Sequence, residues 1–412
     1  MKKSLVALAV LGAFAGSAFA ADVTLYGLVD YGFNYTHKDS DVPGADAKDQ
    51  FEMRAGQNSG SRFGLRGTED LGNGLKVGFV LENGFAADSG ALTTAGKIFD
   101  REAHAYVEGA FGKVGFGRLG QLASANGTYG LLGRFSPLSS GWGDTIGQRT
   151  VMANGYSRMD NMISYVTPDF AGFKVYAQYS FKNADAGKGD ENKTTADRYY
   201  AIGATFDAGN FAAVAIVDSI NMGKNGTYFN EEALDDPMTV TLGATYDFGV
   251  VKLFASGQYF DNVREVGYKG SFRMSKGSNV WGYGTQVRTL DDADKTVKVF
   301  GSNMNGFGIA VGASTPVLGG TLSGLVGYMD ADNDGGVANT NNTLKENAFD
   351  VKRWNVAVGY SYNLSKRTSL YAGAAYTKDA VKVSQVNRTK NAVVADVDPS
   401  SIEVLGGMIH RF

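Results

Sequence analysis

The stretch SIEVLGGMIHRF, Ser401 to Phe412, decides the fold. Its residues alternate in character as they do along a β-strand, with Met408, His410 and Phe412 on one face. Phe412 is the last residue of the chain, so this strand needs a partner for its edge, and the first strand of the same chain is the obvious one. In lipid, each unpaired backbone N–H or C=O group costs several kcal/mol, which leaves a closed sheet as the β option. The stretch therefore predicts an all-β fold, a closed antiparallel β-barrel.

The first 20 residues have the three-part layout of a secretory leader. Lys2 and Lys3 supply its positive start, and Leu5 to Phe14 form an apolar segment too short to span a bilayer. Ala18-Phe19-Ala20 has the small-residue pattern that precedes a cleavage site. We therefore expect residues 1–20 to be a cleaved signal peptide and residues 21–412 to be the exported barrel.

Composition excludes several classes of protein. Loss of Lys2 and Lys3 with the leader takes the formal net charge from -3 to -5, and this acidic balance argues against a nucleic-acid partner. The chain has no cysteine, which excludes a disulfide framework and a thiolate metal site. After the leader no run of 18 apolar residues occurs, so the sequence excludes a helical membrane span. With 56 glycines, 21 tyrosines, 25 phenylalanines and 6 prolines the chain favours β-structure, and nothing in it calls for a cofactor.

Hydrophobic periodicity identifies the individual strands. From Val23 to Tyr35 the odd-numbered residues are apolar and the even-numbered ones mostly polar, and a similar alternation runs from Trp354 to Leu364. A soluble sandwich would show the same alternation. Aromatic residues at the ends of the apolar face, such as Tyr31 and Trp354, instead favour the interfacial girdles of a membrane barrel.

Short and long connections alternate along the chain. Seven short turns are predicted, at residues 70–74, 109–112, 168–172, 207–210, 247–249, 316–320 and 363–367. Eight long polar stretches are predicted, at residues 36–57, 86–99, 120–156, 183–197, 219–237, 262–295, 331–350 and 378–399. Together they predict sixteen strands in an outer-membrane barrel whose short turns face the periplasm. One alternative stays open, because a hairpin at Gly277 to Arg288 would raise the strand count to eighteen.

Several segments resemble the general-diffusion porins of Gram-negative outer membranes. They are SRFGLRGTEDLGNGL, Ser61 to Leu75, together with Val23 to Gly27, Gly115 to Arg118, Tyr165 to Phe173 and Gly407 to Phe412. The resemblance implies a homotrimer of sixteen-stranded barrels, each a water-filled pore that the third long loop narrows by folding inward. It also implies a location in the cell outer membrane, among lipid and lipopolysaccharide. The barrel-assembly machinery is expected to recognise the terminal residues Met408, His410 and Phe412.

The predicted pore constriction combines the third long loop with the barrel wall. Its residues are Arg62, Arg66, Arg118, Arg134, Asp144 and Arg149. Arg62 and Arg66 share the polar face of one strand, and the resemblance implies that Arg118 lies on the wall opposite the loop. Because cations outnumber the carboxylate there, we expect a channel for ions and small hydrophilic solutes with a weak preference for anions.

Two other functions stay open at this point. A sugar-specific channel would present a track of lumen-facing aromatic side chains, for which Trp142 and Trp281 are candidates. A barrel-embedded hydrolase would need an acid–base residue near a nucleophile, and His104, which shares a face with Glu102 and Tyr106, is its candidate. Saturable conductance that sugar blocks would identify the first, and an esterase assay the second.

The stretch from Asp330 to Gly335 copies the start of a calcium-binding loop. Asp330, Asp332 and Asp334 are spaced so that their side chains could converge on one cation, but position twelve of the motif is Asn341 instead of glutamate. The helices that flank such a loop are also missing. The sequence therefore favours an exposed acidic loop tip over a cation site, and it predicts no metal centre elsewhere.

Overall fold

A computed structural model describes residues 23–41, 46–139, 141–153, 158–183, 190–223, 236–263, 266–272, 280–283, 287–289, 297–299, 304–340, 343–387 and 390–412. The predicted leader, residues 1–20, lies outside these ranges, so its removal stays a prediction. Across the described ranges, no helix has the length and apolar character needed to span a membrane.

The described residues form strands and two short 3-10 helices. The strands are β1 (Thr24–Asp39), β2 (Lys48–Ala55), β3 (Arg62–Gly72), β4 (Leu75–Gly84), β5 (Glu102–Gly109), β6 (Gly112–Gly120), β7 (Arg158–Val166), β8 (Phe173–Ser180), β9 (Arg198–Ala208), β10 (Phe211–Asn221), β11 (Met238–Asp247), β12 (Lys252–Val263), β13 (Val266–Phe272), β14 (Val280–Tyr283), β15 (Val287–Thr289), β16 (Val297–Val299), β17 (Met304–Val317), β18 (Gly320–Thr340), β19 (Thr343–Asn363), β20 (Thr368–Asn387), β21 (Lys390–Val397) and β22 (Ser400–Arg411). The 3-10 helices, Leu132–Phe135 and Gln148–Val151, lie between β6 and β7.

Sixteen strand positions close into one antiparallel barrel, as predicted. β1 pairs with β3 through its first residues and with β2 through its last, so β2 and β3 are two segments of one position. β21 and β22 share a position in the same way, because both pair with β20. β12 pairs directly with β17, and β13 to β16 form a separate four-stranded sheet. The alternative of eighteen strands is therefore wrong: the suspected hairpin exists, but it pairs outside the barrel.

The first and last strands close the barrel. β22 pairs with β1 from Leu28 opposite Arg411 to Asp39 opposite Ser400. Beyond the ladder, the backbone N–H groups of Phe412 and Gly27 each donate to the other residue's carbonyl oxygen at 3.1 Å. A Cβ atom on Gly27 would lie 2.4 Å from Cζ of Phe412, so the terminal ring needs a glycine beneath it. The expected closure between the first strand and the last is confirmed.

Side chains alternate between an exposed apolar face and an opposite face, here called the inner face. In β1, Phe33 and Tyr35 are exposed, whereas Asp30 and Asn34 are buried. The pairing register carries this alternation around the barrel, because directly opposed residues of neighbouring strands point to the same face. In β22 the exposed face carries Met408, His410 and Phe412, as predicted.

Aromatic side chains lie at both ends of the exposed apolar face. Towards the long loops, the rings of Tyr328 and Trp354 lie with centroids 4.7 Å apart. Towards the short turns, the rings of Tyr246 and Phe248 lie 4.5 Å apart. This is the arrangement of the two interfacial girdles of a transmembrane barrel.

Two predicted long loops are largely strands. The stretches 331–350 and 378–399 continue the ladders of β18 with β19 and of β20 with β21. Their residues lack clean alternation because, beyond the membrane, both faces of a strand can meet water. Asp330 and Asp332 consequently lie in a paired strand and not at a loop tip.

Candidate pore constriction

The described part of the loop between β6 and β7, residues 121–139 and 141–153 and here called L3, packs along the inner face of the barrel. Its first half buries Leu122, Tyr129 and Phe135 against residues of β9 and β10, and its second half buries Trp142 and Ile146 against β19, β20 and β22. The wall is shaped to receive the loop, since many inner positions there are glycine or alanine.

Inner-face glycines show how closely L3 approaches the wall. A Cβ atom on Gly359 would lie 2.6 Å from the ring of Trp142, and one on Gly243 would lie 3.1 Å from Phe135. A larger residue at Gly359 would therefore displace the loop.

The tip of L3 is held by a buried carboxylate of the last strand. Glu403 is 1% exposed and accepts hydrogen bonds from the backbone N–H groups of Asp144 at 2.9 Å and Thr145 at 2.6 Å. The hydroxyl of Thr145 at 2.8 Å and the amide of Asn34 at 2.6 Å also donate to it. Arg54 donates to the carboxylate of Asp144 at 3.0 and 3.3 Å. Charge-assisted hydrogen bonds of this kind offset the free-energy cost of burying a carboxylate, and they hold the donating backbone in place.

A second anchor holds the end of L3. Arg353 is 2% exposed and forms a two-pronged ion pair with Asp379, with both N–O distances 2.7 Å. The same guanidinium donates to the carbonyl oxygen of Thr150 at 3.0 Å, and Asn355 donates to the carbonyl oxygen of Thr145 at 2.9 Å. L3 is thus fastened to the wall at both ends of its second half.

The inner face of β1, β3 and β4, together with Arg101 just before β5, carries large polar and charged residues. Glu82 accepts from Arg101 at 2.6 Å and from the hydroxyl of Tyr26 at 3.0 Å, and it lies 3.8 Å from Arg62. The guanidinium carbon of Arg66 lies 5.0 Å from the centroid of the Tyr26 ring. We call this set the basic wall: Arg62, Arg66, Arg101, Glu82 and Tyr26.

The first part of L3 rests on polar residues of β5. Glu102 accepts from the backbone N–H and the hydroxyl of Thr128, at 2.6 and 3.1 Å. The ring of His104, the residue considered for a hydrolase, is buried with its centroid 5.7 Å from that of Tyr129. Burial raises the pKa of the Tyr129 hydroxyl above its ordinary value, with the carboxylate of Glu102 adding to the shift. The Tyr129 side chain of L3 is therefore neutral where it packs on His104.

Five of the six predicted constriction residues lie on the inner face or in L3. Arg62 and Arg66 lie on the inner face, in register with Gly84 and Val80. Asp144 and Arg149 lie at the tip of L3, where Arg149 donates to the carbonyl oxygen of Gly143 at 2.5 Å. Arg134 reaches from L3 to Asp207 near the short-turn end of the barrel, at 2.5 Å.

Arg118 does not lie with the others, which corrects the expectation drawn from the resemblance. Arg118 lies opposite Ala103 in the ladder of β5 and β6, and it is two residues from the exposed Phe116, so it belongs to the outer face. Its neighbour Leu119 is fully buried on the inner face. Arg118 instead pairs with Asp160 at 2.5 Å and donates to the carbonyl oxygen of Asp100 at 2.6 Å. This cluster fastens the second long loop to the outer rim.

Sequence reasoning missed Arg54, Arg101 and Glu403. Arg54 and Arg101 lie near strand ends, where the alternation that assigns faces is short. Glu403 stands out as the acidic residue of β22, but its partners lie more than 250 positions away, and periodicity cannot find them.

The aspartates of the predicted calcium-type loop lie in β18. Asp330 accepts from the hydroxyl of Tyr328 at 3.1 Å and lies 3.7 Å from Lys352, while Asp332 is exposed. The side chain of Asp334 lies outside the described residues. Among the side chains that the structure describes, no group of three or more His, Cys, Asp or Glu residues could hold a metal ion.

A closed sixteen-stranded barrel with an apolar outer face, an aromatic girdle at each end and a polar interior defines a class of protein, the bacterial outer-membrane channel. The family follows from comparison. The chain belongs to the Gram-negative porin family, whose model matches residues 7–380.

Individual relatives agree with this assignment. The chain is 34% identical to an outer membrane porin protein of Bordetella pertussis, over the whole of both chains. It is 33% identical to outer membrane porin protein 32 of Delftia acidovorans, over 92% of this chain and 90% of the relative. Among solved structures it is similar to the anion-selective porin from Comamonas acidovorans, with a TM-score of 0.62 and 26% identity over 95% of this chain and all of that one. The protein is therefore an outer-membrane porin that forms a diffusion channel.

Proposed function

We propose that L3 narrows the lumen and that the protein is a weakly anion-preferring channel for ions and small hydrophilic solutes. The narrow zone lies between the tip of L3 and the basic wall. One observation carries the preference: the carboxylates of this zone are buried, whereas several of its arginine side chains are partly or fully exposed. Glu82 and Glu403 are 6% and 1% exposed, whereas the side chains of Arg54 and Arg62 are 22% and 25% exposed, and Arg66 is exposed.

Distance decides which charges a passing ion meets. Charges on the outer loops are screened within about 8 Å at physiological ionic strength, so the acidic balance of the whole chain counts for little inside the pore. The side chain of Arg62 is more exposed than that of its neighbour Glu82, so we expect the guanidinium to act on a passing ion at closer range. The similarity to an anion-selective porin supports the same preference.

Reversal potentials in planar bilayers test this proposal. With a gradient of potassium chloride across the membrane, the wild-type channel is expected to show a reversal potential shifted from zero towards the equilibrium potential of chloride. A reversal potential shifted towards the equilibrium potential of potassium would overturn the anion preference and leave the channel function intact.

Trp142, the described candidate for the aromatic track of a sugar-specific channel, does not fit that role. Trp142 is 7% exposed and packs against Tyr371, with ring centroids 5.7 Å apart, so it does not contribute an open aromatic surface. The side chain of Trp281 lies outside the described residues. A detergent-solubilised esterase assay addresses the hydrolase alternative, for which His104 offers a ring buried under L3.

The proposed assembly is a homotrimer in the outer membrane, surrounded by lipid and lipopolysaccharide. Ala103 and Ala105 lie on the outer face of β5, where small side chains allow close packing of barrels. Gly115 and Gly117 of the neighbouring β6 lie on the inner face, in register with Tyr106 and His104, and do not add to this surface. A trimer form of OmpT from Vibrio cholerae, with a TM-score of 0.50, has the same fold. A mass corresponding to one subunit in mild detergent, with full channel activity, would contradict the trimer.

Export and insertion are proposed to depend on the two ends of the chain. We expect the mature protein to begin at Ala21, which N-terminal sequencing tests. Deletion of Phe412 should impair recognition by the barrel-assembly machinery, because it removes the exposed ring next to Met408 and His410. Barrel yield in the outer membrane, compared with the periplasmic amount, measures this step.

A further inference from the structure

The wall strand that β2 and β3 share is interrupted by a bend at residues 56–61, here called the inner bend. This segment lies over the inner face of β1. Gln57 is buried there, and a Cβ atom on Gly32 would lie 2.5 Å from its side-chain nitrogen. The three residues that follow Gln57 are half-buried. The bend therefore projects from the wall towards the inside of the barrel.

Asp30 of β1 holds the inner bend. It is 0% exposed, and one oxygen of its carboxylate accepts from the backbone N–H groups of Asn58 at 2.8 Å and Ser59 at 2.7 Å. The carbonyl oxygen of Asp30 accepts from the N–H group of Gly56 at 2.9 Å, and its own N–H group donates to the hydroxyl of Ser61 at 3.0 Å. Asp30 thus fastens the bend at both ends and in the middle.

The inner bend contacts both sides of the narrow zone. The carbonyl oxygen of Gln57 accepts from the N–H group of Gly143, next to Asp144 at the tip of L3, at 2.7 Å. Further along the bend, a Cβ atom on Gly60 would lie 2.9 Å from a guanidinium nitrogen of Arg101. A larger residue at Gly60 would push that side chain of the basic wall away. The bend consequently joins the tip of L3 to the basic wall.

Two arginines of the narrow zone flank the inner bend. Arg54 lies two residues before it and Arg62 follows it directly. Arg54 donates to Asp144 of L3 at 3.0 Å, and Arg62 lies 3.8 Å from Glu82 of the basic wall. The conformation of the bend therefore sets where the backbone presents both guanidinium groups.

We propose that the inner bend forms a third side of the narrow zone, with its half-buried residues towards the lumen, and that Asp30 positions Arg54 and Arg62 there. This inference rests on the proposed function, because it takes L3 to narrow the lumen. Ion pairs at the ends of long side chains hold an arginine loosely, whereas charge-assisted bonds to backbone N–H groups fix the segment that carries it. The carboxylate of Asp30 is buried and acts on a passing ion through the two arginines.

The reversal potential of Asp30→Asn tests the positioning role. The amide has the shape of the carboxylate without its charge, so the bonds from Asn58 and Ser59 become weaker. Loss of a negative charge alone would favour chloride. Displacement of the arginines has the opposite effect, so we expect the reversal potential to move from the wild-type value towards the equilibrium potential of potassium. A shift towards the chloride potential, or a loss of thermal stability without any shift, would overturn the positioning role.

Asp218→Asn is the matched control. Asp218 is a buried carboxylate on the inner face of β10 that accepts from the hydroxyls of Tyr199 and Thr239 in the neighbouring strands. Asp30 likewise accepts from the hydroxyl of Tyr371. The control should lose thermal stability and keep the wild-type reversal potential. Equal shifts in the two variants would assign the effect to the loss of a buried charge and overturn the inference.

Labelling of a single cysteine tests the location of the bend, even if Asp30→Asn does not fold. The chain has no cysteine, so Ser59→Cys introduces one thiol. Its thiolate attacks a cationic methanethiosulfonate reagent, which forms a mixed disulfide and releases methanesulfinate. We expect this labelling to lower single-channel conductance, whereas labelling of Lys366→Cys, in the exposed turn after β19, should leave it unchanged.

A Ser59→Cys channel that stays unlabelled, or that conducts equally after labelling confirmed by mass spectrometry, would overturn the location of the bend. This outcome is separate from the proposed anion preference. A wild-type reversal potential near that of potassium would overturn the preference, whereas a fall in conductance on labelling would still place the bend in the narrow zone.

Discussion

Two parts of the inner wall differ in the size and the burial of their side chains. The wall under the second half of L3 is built of small residues such as Gly359 and Gly373, and its charged residues Glu403 and Arg353 are buried and fully engaged. The basic wall carries large charged side chains, of which Arg66 is exposed and Arg62 partly exposed. The first wall binds a loop, and the second one is proposed to meet water and solutes.

The difference teaches where a charge has a structural role and where it influences transport. A carboxylate that accepts several backbone hydrogen bonds has little interaction left for a passing ion, because its field is already compensated nearby. A guanidinium that rests on a tyrosine ring at the edge of the lumen keeps most of its field available. Substitutions in the two walls should therefore change different observables.

Replacement of Glu403 should have the largest effect. Glu403→Ala removes the acceptor of the L3 tip and leaves buried donors, including the N–H groups of Asp144 and Thr145, without their partner. Breaking a buried charged pair costs about 3–5 kcal/mol, so thermal unfolding should occur at a clearly lower temperature. The released tip should also make single-channel conductance noisy. Glu69→Ala, an exposed carboxylate in β3, is the control, and equal behaviour of the two variants would show that L3 does not depend on Glu403.

Gly359→Val should displace L3 by steric pressure. The new side chain would collide with the ring of Trp142, and overpacking of this kind costs about 1–3 kcal/mol. Single-channel conductance should change because the loop has to move away from its wall. Gly257→Val is the matched control, since a Cβ there has its nearest contact at an ordinary 3.5 Å on the exposed face. Unchanged conductance in Gly359→Val would mean that L3 does not set the pore cross-section.

Arg66→Glu should leave stability nearly unchanged and alter selectivity. It reverses a charge at the lumen side of the basic wall, so the reversal potential should move towards cations. The shift should shrink at high salt, because the screening length falls from about 10 Å at 0.1 M to about 3 Å at 1 M. Lys366→Glu, in the exposed turn after β19, controls for net charge. A shift of the same size in the control would assign selectivity to overall charge and not to the narrow zone.

Arg118→Gln should have the smallest effect on transport. Its ion pair with Asp160 is mostly buried, with the two side chains 13% and 15% exposed, so its loss should lower stability. We expect a loss of thermal stability and no change in reversal potential. A selectivity change as large as that of Arg66→Glu would place Arg118 in the narrow zone, in conflict with its register.

Local patterns predicted the barrel well. The residues from Val23 to Tyr35 and from Trp354 to Leu364 alternate because one face of each strand contacts lipid. The backbone edge of the final strand needs a hydrogen-bonding partner, which predicts closure of the sheet. The same logic could have placed Arg118, because Phe116, two positions earlier, is outward.

Other features could not be predicted from the sequence. The strands at 331–340 and 343–350 lie beyond the girdles, where neither face is obliged to be apolar, so no periodicity marks them. The contacts of Glu403 with Thr145 join segments that are distant in the chain, and one sequence carries no signal for such a pair.

The ladder between β1 and β22 has a consequence for biogenesis. It joins the two ends of the folded chain, so the ring cannot close while the polypeptide is still being made or threaded across the inner membrane. Until that last pairing forms, two long edges with free hydrogen-bonding groups invite association with other chains. Translocation across the inner membrane and closure of the barrel are therefore separate steps for this polypeptide.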